Sequence, residues 1–256
     1  MAIRQSTGLR NFLGAYGSYK QAFTGGRLMI YSGSQPASAD DAPSGTLLVT
    51  VTLASGAWTA ETRGFATTEL TGGGSGSVGT LVANGIEIMG SLTNFNGSLA
   101  QTAADIVAKI NAYQRLVNGL YAEVPSGAII KVWAPLGSGT AWNTKDITAG
   151  TLTTITVTDT DFGSGVAAVA GLTFSYSGSG ALTKSGTWSG VGLADGTAGW
   201  FRLVGPLTDT YASSAVLHRL DGNVSTSGAN LNLASTTIST GATTTIDTFT
   251  ITVPAS

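Results

Sequence analysis

The sequence predicts a mainly β protein, a jelly-roll-like β-sandwich with a small inserted α+β (β-α-β-β) domain. Three observations lead there. Apolar residues recur at every second position through most of the chain, one stretch alone carries a helical stripe, and Gly, Ser, Pro and Asp clusters separate the apolar runs at short intervals. The runs are rich in β-branched and aromatic residues, which suit a pleated, half-buried surface.

Taken in order, the first 26 residues form a segment of their own. Arg4, Arg10, Lys20 and Arg27 all precede the first acidic residue, Asp40, so the start of the chain is basic and the remainder acidic. Leu9, Phe12, Leu13, Tyr16, Tyr19 and Phe23 lie three to four apart and predict a short amphipathic helix that packs on something. Two readings follow: a solvated end of the chain, or a basic aromatic arm that docks on an acidic neighbouring subunit.

From Arg27 the period is two. RLMIY (27–31), TLLVTVTL (46–53), LTFSY (172–176), AGWFRLV (198–204) and TIDTFTITV (245–253) read as strands. Thr fills the alternate positions because its branched Cβ favours strands while its hydroxyl tolerates water. The exception is SLAQTAADIVAKINAYQRLVNGLYAEV, where Ile106, Val107, Ile110, Tyr113, Val117 and Leu120 mark a helix over about 99–117. Ser98 with Gln101 fits a capping box, and Asn118-Gly119 is a stop signal. Strand-like TLVANGIEIM (80–89) precedes this helix, and AIIKVWAP (128–135) and TLTTITVTDT (151–160) follow it.

Glycine-rich TGGGSGSVG (71–79) and FGSGVAAVAG (162–171) bound that unit and read as linkers. The expected organisation is therefore an arm at 1–26, a discontinuous sandwich at 27–70 plus 171–256, and an insert at 71–170. Insertion is favoured over consecutive domains because 27–70 alone has too few strands to bury a face.

Composition narrows the function. Among 256 residues there are 12 Lys+Arg, 14 Asp+Glu, one His, 36 Gly and no Cys, and charged residues make up 10%. An ordinary soluble domain carries roughly 25%. The absence of Cys removes disulfides, thiol catalysis and cysteine zinc sites, and the lone His218 removes a multi-histidine site within one chain. A net charge of −2 argues against a general nucleic-acid-binding surface. No apolar run approaches the ~18 to 20 residues of a membrane span, and no secretory signal is legible, so a soluble protein is expected.

The motifs that resemble chemistry each lack a part. Gly74-Ser75-Gly76-Ser77-Val78-Gly79 matches the dinucleotide fingerprint, but the next segment is strand-like rather than helical. No phosphate-binding GxxxxGK[ST] and no nucleophile-elbow GxSxG occurs. Asp159-Thr160-Asp161 resembles the start of a calcium loop without its glycine or its closing Glu, and reads as a polar hairpin end. Asn96-Gly97-Ser98 and Asn223-Val224-Ser225 are glycosylation sequons only in a secretory context. His218, in AVLHRLDGNV, reads as a structural strand histidine, with Arg219 and Asp221 on the opposite face; a hydrolase using it is the outlying alternative. The acids are dispersed, with no pair suited to glycoside cleavage. No enzymatic activity, metal or cofactor is expected.

Aromatics offer another chemistry. Trp133 and Trp200 lie inside apolar strands and read as core, whereas Trp58, Trp142 and Trp188 are flanked by small polar residues. These three either seal sandwich edges and subunit interfaces or present faces for sugars to stack on.

Finally, MAIRQSTGLRNFL, GGRLMIYSGSQPASAD, TWSGVGLADGTAGWFRLVG and SGANLNLASTTISTGATTTIDTFTITVPA resemble a family of structural proteins encoded in tailed-bacteriophage genomes. The resemblance covers about 1–55 and 182–256. It implies a non-enzymatic virion component in many copies, assembled in the bacterial cytoplasm, whose partners are copies of itself and other capsid, neck or tail subunits. Capsid decoration is the favoured place, with a neck or tail accessory role and a host-surface glycan-binding module as alternatives. In that setting Arg4, Arg10, Phe12, Tyr16, Tyr19, Lys20, Phe23 and Arg27 form the expected docking arm, ordered on assembly, and the insert projects outward.

Overall fold

The computed structural model describes residues 3–15, 17–114, 119–178 and 180–252. The chain is mainly β and divides into two compact units, residues 1–61 with 168–256, and residues 62–167.

The first unit holds a nine-stranded sheet. Its spatial order runs Arg4–Gln5, Arg219–Ser225, Gly196–Val204, Arg27–Ser32, Leu47–Leu53, Trp188–Val191, Thr243–Ile246, with Leu231–Asn232 and Thr237–Ile238 attached at the side. All pairings are antiparallel except that of Arg219–Ser225 with Leu231–Asn232. A three-stranded sheet, Thr173–Tyr176, Ala181–Ser185 and Thr250–Thr252, shares a hydrophobic core with it. Phe174, Leu182 and Ile251 come from the small sheet, and Leu28, Ile30, Val49, Val51, Phe201, Leu203 and Leu220 from the large one. The arrangement is that of a β-sandwich.

The run expected as one strand at 245–253 is two. Thr243–Ile246 pairs in the large sheet and Thr250–Thr252 in the small one. Phe249, in the crossing between them, packs on Trp188 and Phe201 at ring distances of 5.5 and 5.6 Å. A single period of two could not reveal the switch, because both halves point the same residue types inward.

The amino-terminal segment is part of the sandwich. Arg4–Gln5 extends the large sheet, opposite Asp221 and Leu220, and the helices Thr7–Ala15 and Tyr19–Phe23 close one end of the core. The buried Ser6 caps the first helix. Its Oγ accepts from the Leu9 and Arg219 amides and donates to the Leu217 carbonyl. Asp40 accepts from the Thr7 amide at 2.8 Å and the Thr7 hydroxyl at 2.6 Å, placing a carboxylate at the positive end of the helix dipole. Ser18 and Gln21 form a complete capping box on the second helix. A separate arm ordered only on assembly is therefore corrected: Leu9, Phe12, Ala22 and Phe23 are buried in the core.

The large sheet's other face is buried too. Met29, Tyr31, Trp200 and Val204 lie under the segments 33–46 and 205–218. Those segments are held by Trp200 Nε1 on the Ser44 carbonyl, by Arg202 Nη1 on the Asp41 carbonyl, and by the Ser214 amide on the Asp40 carbonyl.

The second unit has its own core. The strands Thr156–Gly163, Phe65–Gly72, Ile129–Trp133 and Tyr121–Glu123 make one sheet, and Ile147–Thr153, Ser77–Ala83, Ile86–Glu87 and Thr93–Asn94 another. The helix Leu99–Gln114 packs Ala103, Ile106 and Ile110 against Ala66, Leu70, Ile130 and Val132. Asn111 fastens the helix to the neighbouring strand by exchanging two 2.8 Å bonds with the Ala122 amide and carbonyl. Ser98 Oγ accepts the Gln101 amide, but the Gln101 side chain turns to Asp105, so the capping box is half formed. Tyr113 is exposed, and Val117 and Asn118 lie outside the described residues.

The second unit differs from the sequence reading in three respects. Phe65–Gly72, placed above in the sandwich, pairs with Ile129–Trp133 and Thr156–Gly163 and so belongs to the second unit. Among the described residues that unit therefore holds eight strands and one helix, more than a β-α-β-β motif. The glycine-rich 71–79 is a turn within it, and Ser77–Gly79 already pairs with Ile147–Thr153. Gly76, at φ +94, brings its α-carbon so close to the Thr153 carbonyl that a Cβ would stand 1.7 Å from the oxygen. Asn84-Gly85, both at positive φ, turns the Ser77–Ala83 hairpin.

Candidate functional site: a buried arginine without a carboxylate

The outer face of the large sheet carries four arginines, the half-buried Arg4 and the buried Arg27, Arg202 and Arg219. In one cross-strand row Arg219 pairs with Val204, and Val204 with Arg27; in the next, Asp221 pairs with Arg202, and Arg202 with Met29. The guanidinium groups of Arg27, Arg202 and Arg219 are almost sealed from solvent.

Two have acids built in. Arg202 meets Asp221 through Nε–Oδ1 and Nη2–Oδ2, both 2.7 Å. Arg219 meets Asp209 through Nη2–Oδ1 at 2.6 Å and Nε–Oδ2 at 2.7 Å, and donates further to the Ala212 carbonyl. Bidentate geometry and extra backbone acceptors are what a buried pair needs to offset lost hydration. Burial still pushes the Asp221 carboxyl above its usual range, against the pull of the Arg202 hydrogen bonds and the charges of Arg202, Arg219 and Arg4.

Arg27 has none. It is 5% exposed, and among the described residues no carboxylate lies within ion-pairing distance of it. Its Nη2 donates to the Tyr211 hydroxyl at 3.0 Å, while its buried Nη1 has no acceptor. The guanidinium carbon sits 3.8 Å from the Trp58 ring centroid and 5.6 Å from that of Tyr211. Both rings are held in place. Trp58 Nε1 donates to the Gly25 carbonyl at 2.9 Å, and the Tyr211 amide donates to Asp209 Oδ1 at 2.8 Å. Tyr211 adopts φ 63, a left-handed conformation that costs a non-glycine residue about 1–3 kcal/mol.

Arg27, Trp58 and Tyr211 line a shallow depression of about 500 Å³ with Thr50, Thr52 and Ser55. Exposed Val191 and Leu193 stand at its rim. It can hold a small group presenting negative charge to Arg27, hydroxyls to the Thr and Ser walls, and apolar hydrogens to the rings.

The other expected site residues fall elsewhere. Arg4 and Arg10 come together at a second shallow depression with Ile3, Ala37, Ser38 and Ala39. There Arg4 donates to the Pro36 carbonyl and Arg10, exposed, to the Thr7 hydroxyl. Lys20 is exposed on the second helix, and Tyr16 lies outside the described residues. Tyr19 is half-buried, accepts from Gln5 Nε2 and has its phenol pKa raised by burial. Phe12 and Phe23, at 6% and 0% exposure, are corrected from docking residues to core.

Trp188 is likewise corrected: it is fully buried against Phe174 and Phe249, so no sugar or partner can reach it. Trp142, in the second unit, is half-buried edge-on to Phe162. Trp133, expected in the core, is half-buried with Lys131 Nζ 3.8 Å over its ring, whereas Trp200 is core as expected. The His218 ring packs against Phe12 at 4.5 Å, tilted by 37°. Asp159 and Asp161 accept the Ala149 and Ile147 amides, and Asp159 also the Thr68 hydroxyl. These carboxylates thus hold strands together.

Sequence reasoning missed the Arg202–Asp221 and Arg219–Asp209 pairs and the significance of Arg27. The available signal was charge in an otherwise apolar strand, as in AGWFRLV. Comparison of the chain with family models, with curated proteins and with solved structures finds no match.

Proposed function

We propose that this protein is a non-enzymatic structural component of a tailed-bacteriophage virion, decorating the capsid surface in many copies. The observation that carries the reading joins the two ends of the chain. The segments resembling phage structural proteins, about 1–55 and 182–256, fall in the same compact unit, residues 1–61 with 168–256. A resemblance split across the sequence but continuous in one fold is what a common architecture with an interrupting module would leave.

The chemistry of the side chains supports it. Asp40, Asp159, Asp161, Asp209 and Asp221 all accept structural hydrogen bonds, and His218 packs at a tilt against a core phenylalanine. The docking surface for a neighbouring subunit is the exposed cationic rim of the first unit, Arg10 and Lys20, rather than a free arm.

The test is to purify virions and measure the chain's stoichiometry and position by mass spectrometry and imaging. Capsid-surface copies in regular array are expected, and their absence from the particle overturns the proposal. The double charge reversal Arg10→Glu with Lys20→Glu, on two exposed positions, should lower incorporation without shifting the melting temperature.

A further inference from the structure

We infer that the depression at Arg27 is a binding site for a carboxylate-bearing saccharide, whose acid group pairs with Arg27 as Asp221 and Asp209 pair with Arg202 and Arg219. The inference stands on the site's own geometry and does not depend on where the protein resides.

Three buried arginines on one sheet face differ in what meets their charge. A guanidinium taken out of water needs a carboxylate and a full set of acceptors, or the burial is costly. Arg202 and Arg219 have both. Arg27, equally enclosed, has one neutral hydroxyl partner, two aromatic rings and an Nη1 with no acceptor. Arginine keeps its proton under all ordinary conditions, so the charge cannot be relieved by titration. A buried guanidinium with an open donor is suited to receive one anion.

The surroundings say what carries it. Thr50, Thr52 and Ser55 put three hydroxyls along the wall. Thr52 Oγ1 donates to the Gly56 carbonyl and keeps lone pairs to accept; Ser55 Oγ is 2.8 Å from Ser189 Oγ. Trp58 and Tyr211 add aromatic surface on a concavity of about 500 Å³, room for one or two sugar rings. A sugar acid offers the same three features: a carboxylate, hydroxyl edges and apolar C–H faces. A carboxylate on a protein partner would come with a broad contact surface, and exposed apolar side chains here are few, Val191 and Leu193 at the rim. Strain at Tyr211 fits a preorganised site, since Asp209 holds that backbone in place while its hydroxyl engages Arg27.

The experiment titrates the full chain with a trimer of galacturonic acid, its neutral galactose counterpart and acetate, by calorimetry and tryptophan fluorescence. The acidic trimer should bind, the neutral one at least about tenfold more weakly, and acetate more weakly still. Arg27→Met should lower affinity for the acidic trimer by at least about tenfold. Because that change could disturb folding, Thr50→Glu is the second variant. It supplies a carboxylate from the wall and should raise the melting temperature while abolishing saccharide binding. No binding of the acidic trimer up to about 10 mM overturns the assignment, as does equal binding of the neutral sugar, or binding unaffected by both variants. A dimer that Leu193→Asp dissociates, without saccharide binding, assigns the Arg27 site to a carboxylate of a second copy and equally overturns it.

Discussion

Asp209 Oδ1 accepts from both the Arg219 guanidinium, at 2.6 Å, and the Tyr211 amide, at 2.8 Å. One buried carboxylate thus neutralises an arginine of the sheet and fixes the loop that carries Tyr211 over Arg27. Asp209→Asn should cost about 3–5 kcal/mol, because it leaves the Arg219 charge buried without its counterion. Chemical denaturation measures the loss, and amide exchange should show the 206–216 segment opening before the sheet does.

Removal of residues 1–26 should leave no folded sandwich. The deletion strips Leu9, Phe12, Ala22 and Phe23 from the core and the Arg4–Gln5 strand from the sheet edge. Phe23→Ala alone should cost about 3–5 kcal/mol by the cavity it leaves. Soluble, cooperatively melting protein lacking these residues would show that the segment is dispensable.

Alkaline pH should unfold the first unit from within. Burial raises the Tyr31 phenol far above its ordinary 10.0, and raises Tyr19 as well. A group whose folded pKa is raised contributes stability that is present below the unfolded value and lost as pH rises above it. The melting temperature should therefore hold up to about pH 10 and fall beyond it. Absorbance of phenolate at 295 nm should rise together with unfolding, and Tyr31→Phe should flatten the fall.

Residues 62–167 should fold alone. Their core draws on both sheets and the helix, with Ile106, Ile110, Ile130, Val132, Leu81 and Ile147 fully or nearly fully buried. Excised and expressed, the fragment should give a cooperative thermal transition, as an independent domain does. Within it, Gly76→Ala should lower that transition, since a Cβ cannot share space with the Thr153 carbonyl.

The outline of this architecture was legible in the chain because its signals are local. RLMIY, TLLVTVTL and AGWFRLV alternate over enough residues to mark strands, and Ile106 and Ile110 mark the helix face. What stayed hidden is what distant segments decide. Arg219 and Asp221 alternate with apolar residues, and nothing local says whether their face meets water; the loops 33–46 and 205–218 make it dry. Trp188 sits among Ser and Gly and reads as accessible, yet the small sheet delivers Phe174 onto it. The candidate site was half visible for the same reason. Trp58 and Arg27 could each be named from sequence, but nothing local brings a tryptophan over an arginine 31 residues earlier, or withholds an acid from it.

Thr62 and Val166 exchange backbone hydrogen bonds of 3.0 and 2.8 Å, and Thr59 and Val169 do the same a few residues outward. The chain therefore leaves the sandwich and returns to it along a two-stranded stem. Whatever polypeptide hangs on that stem need only have neighbouring ends.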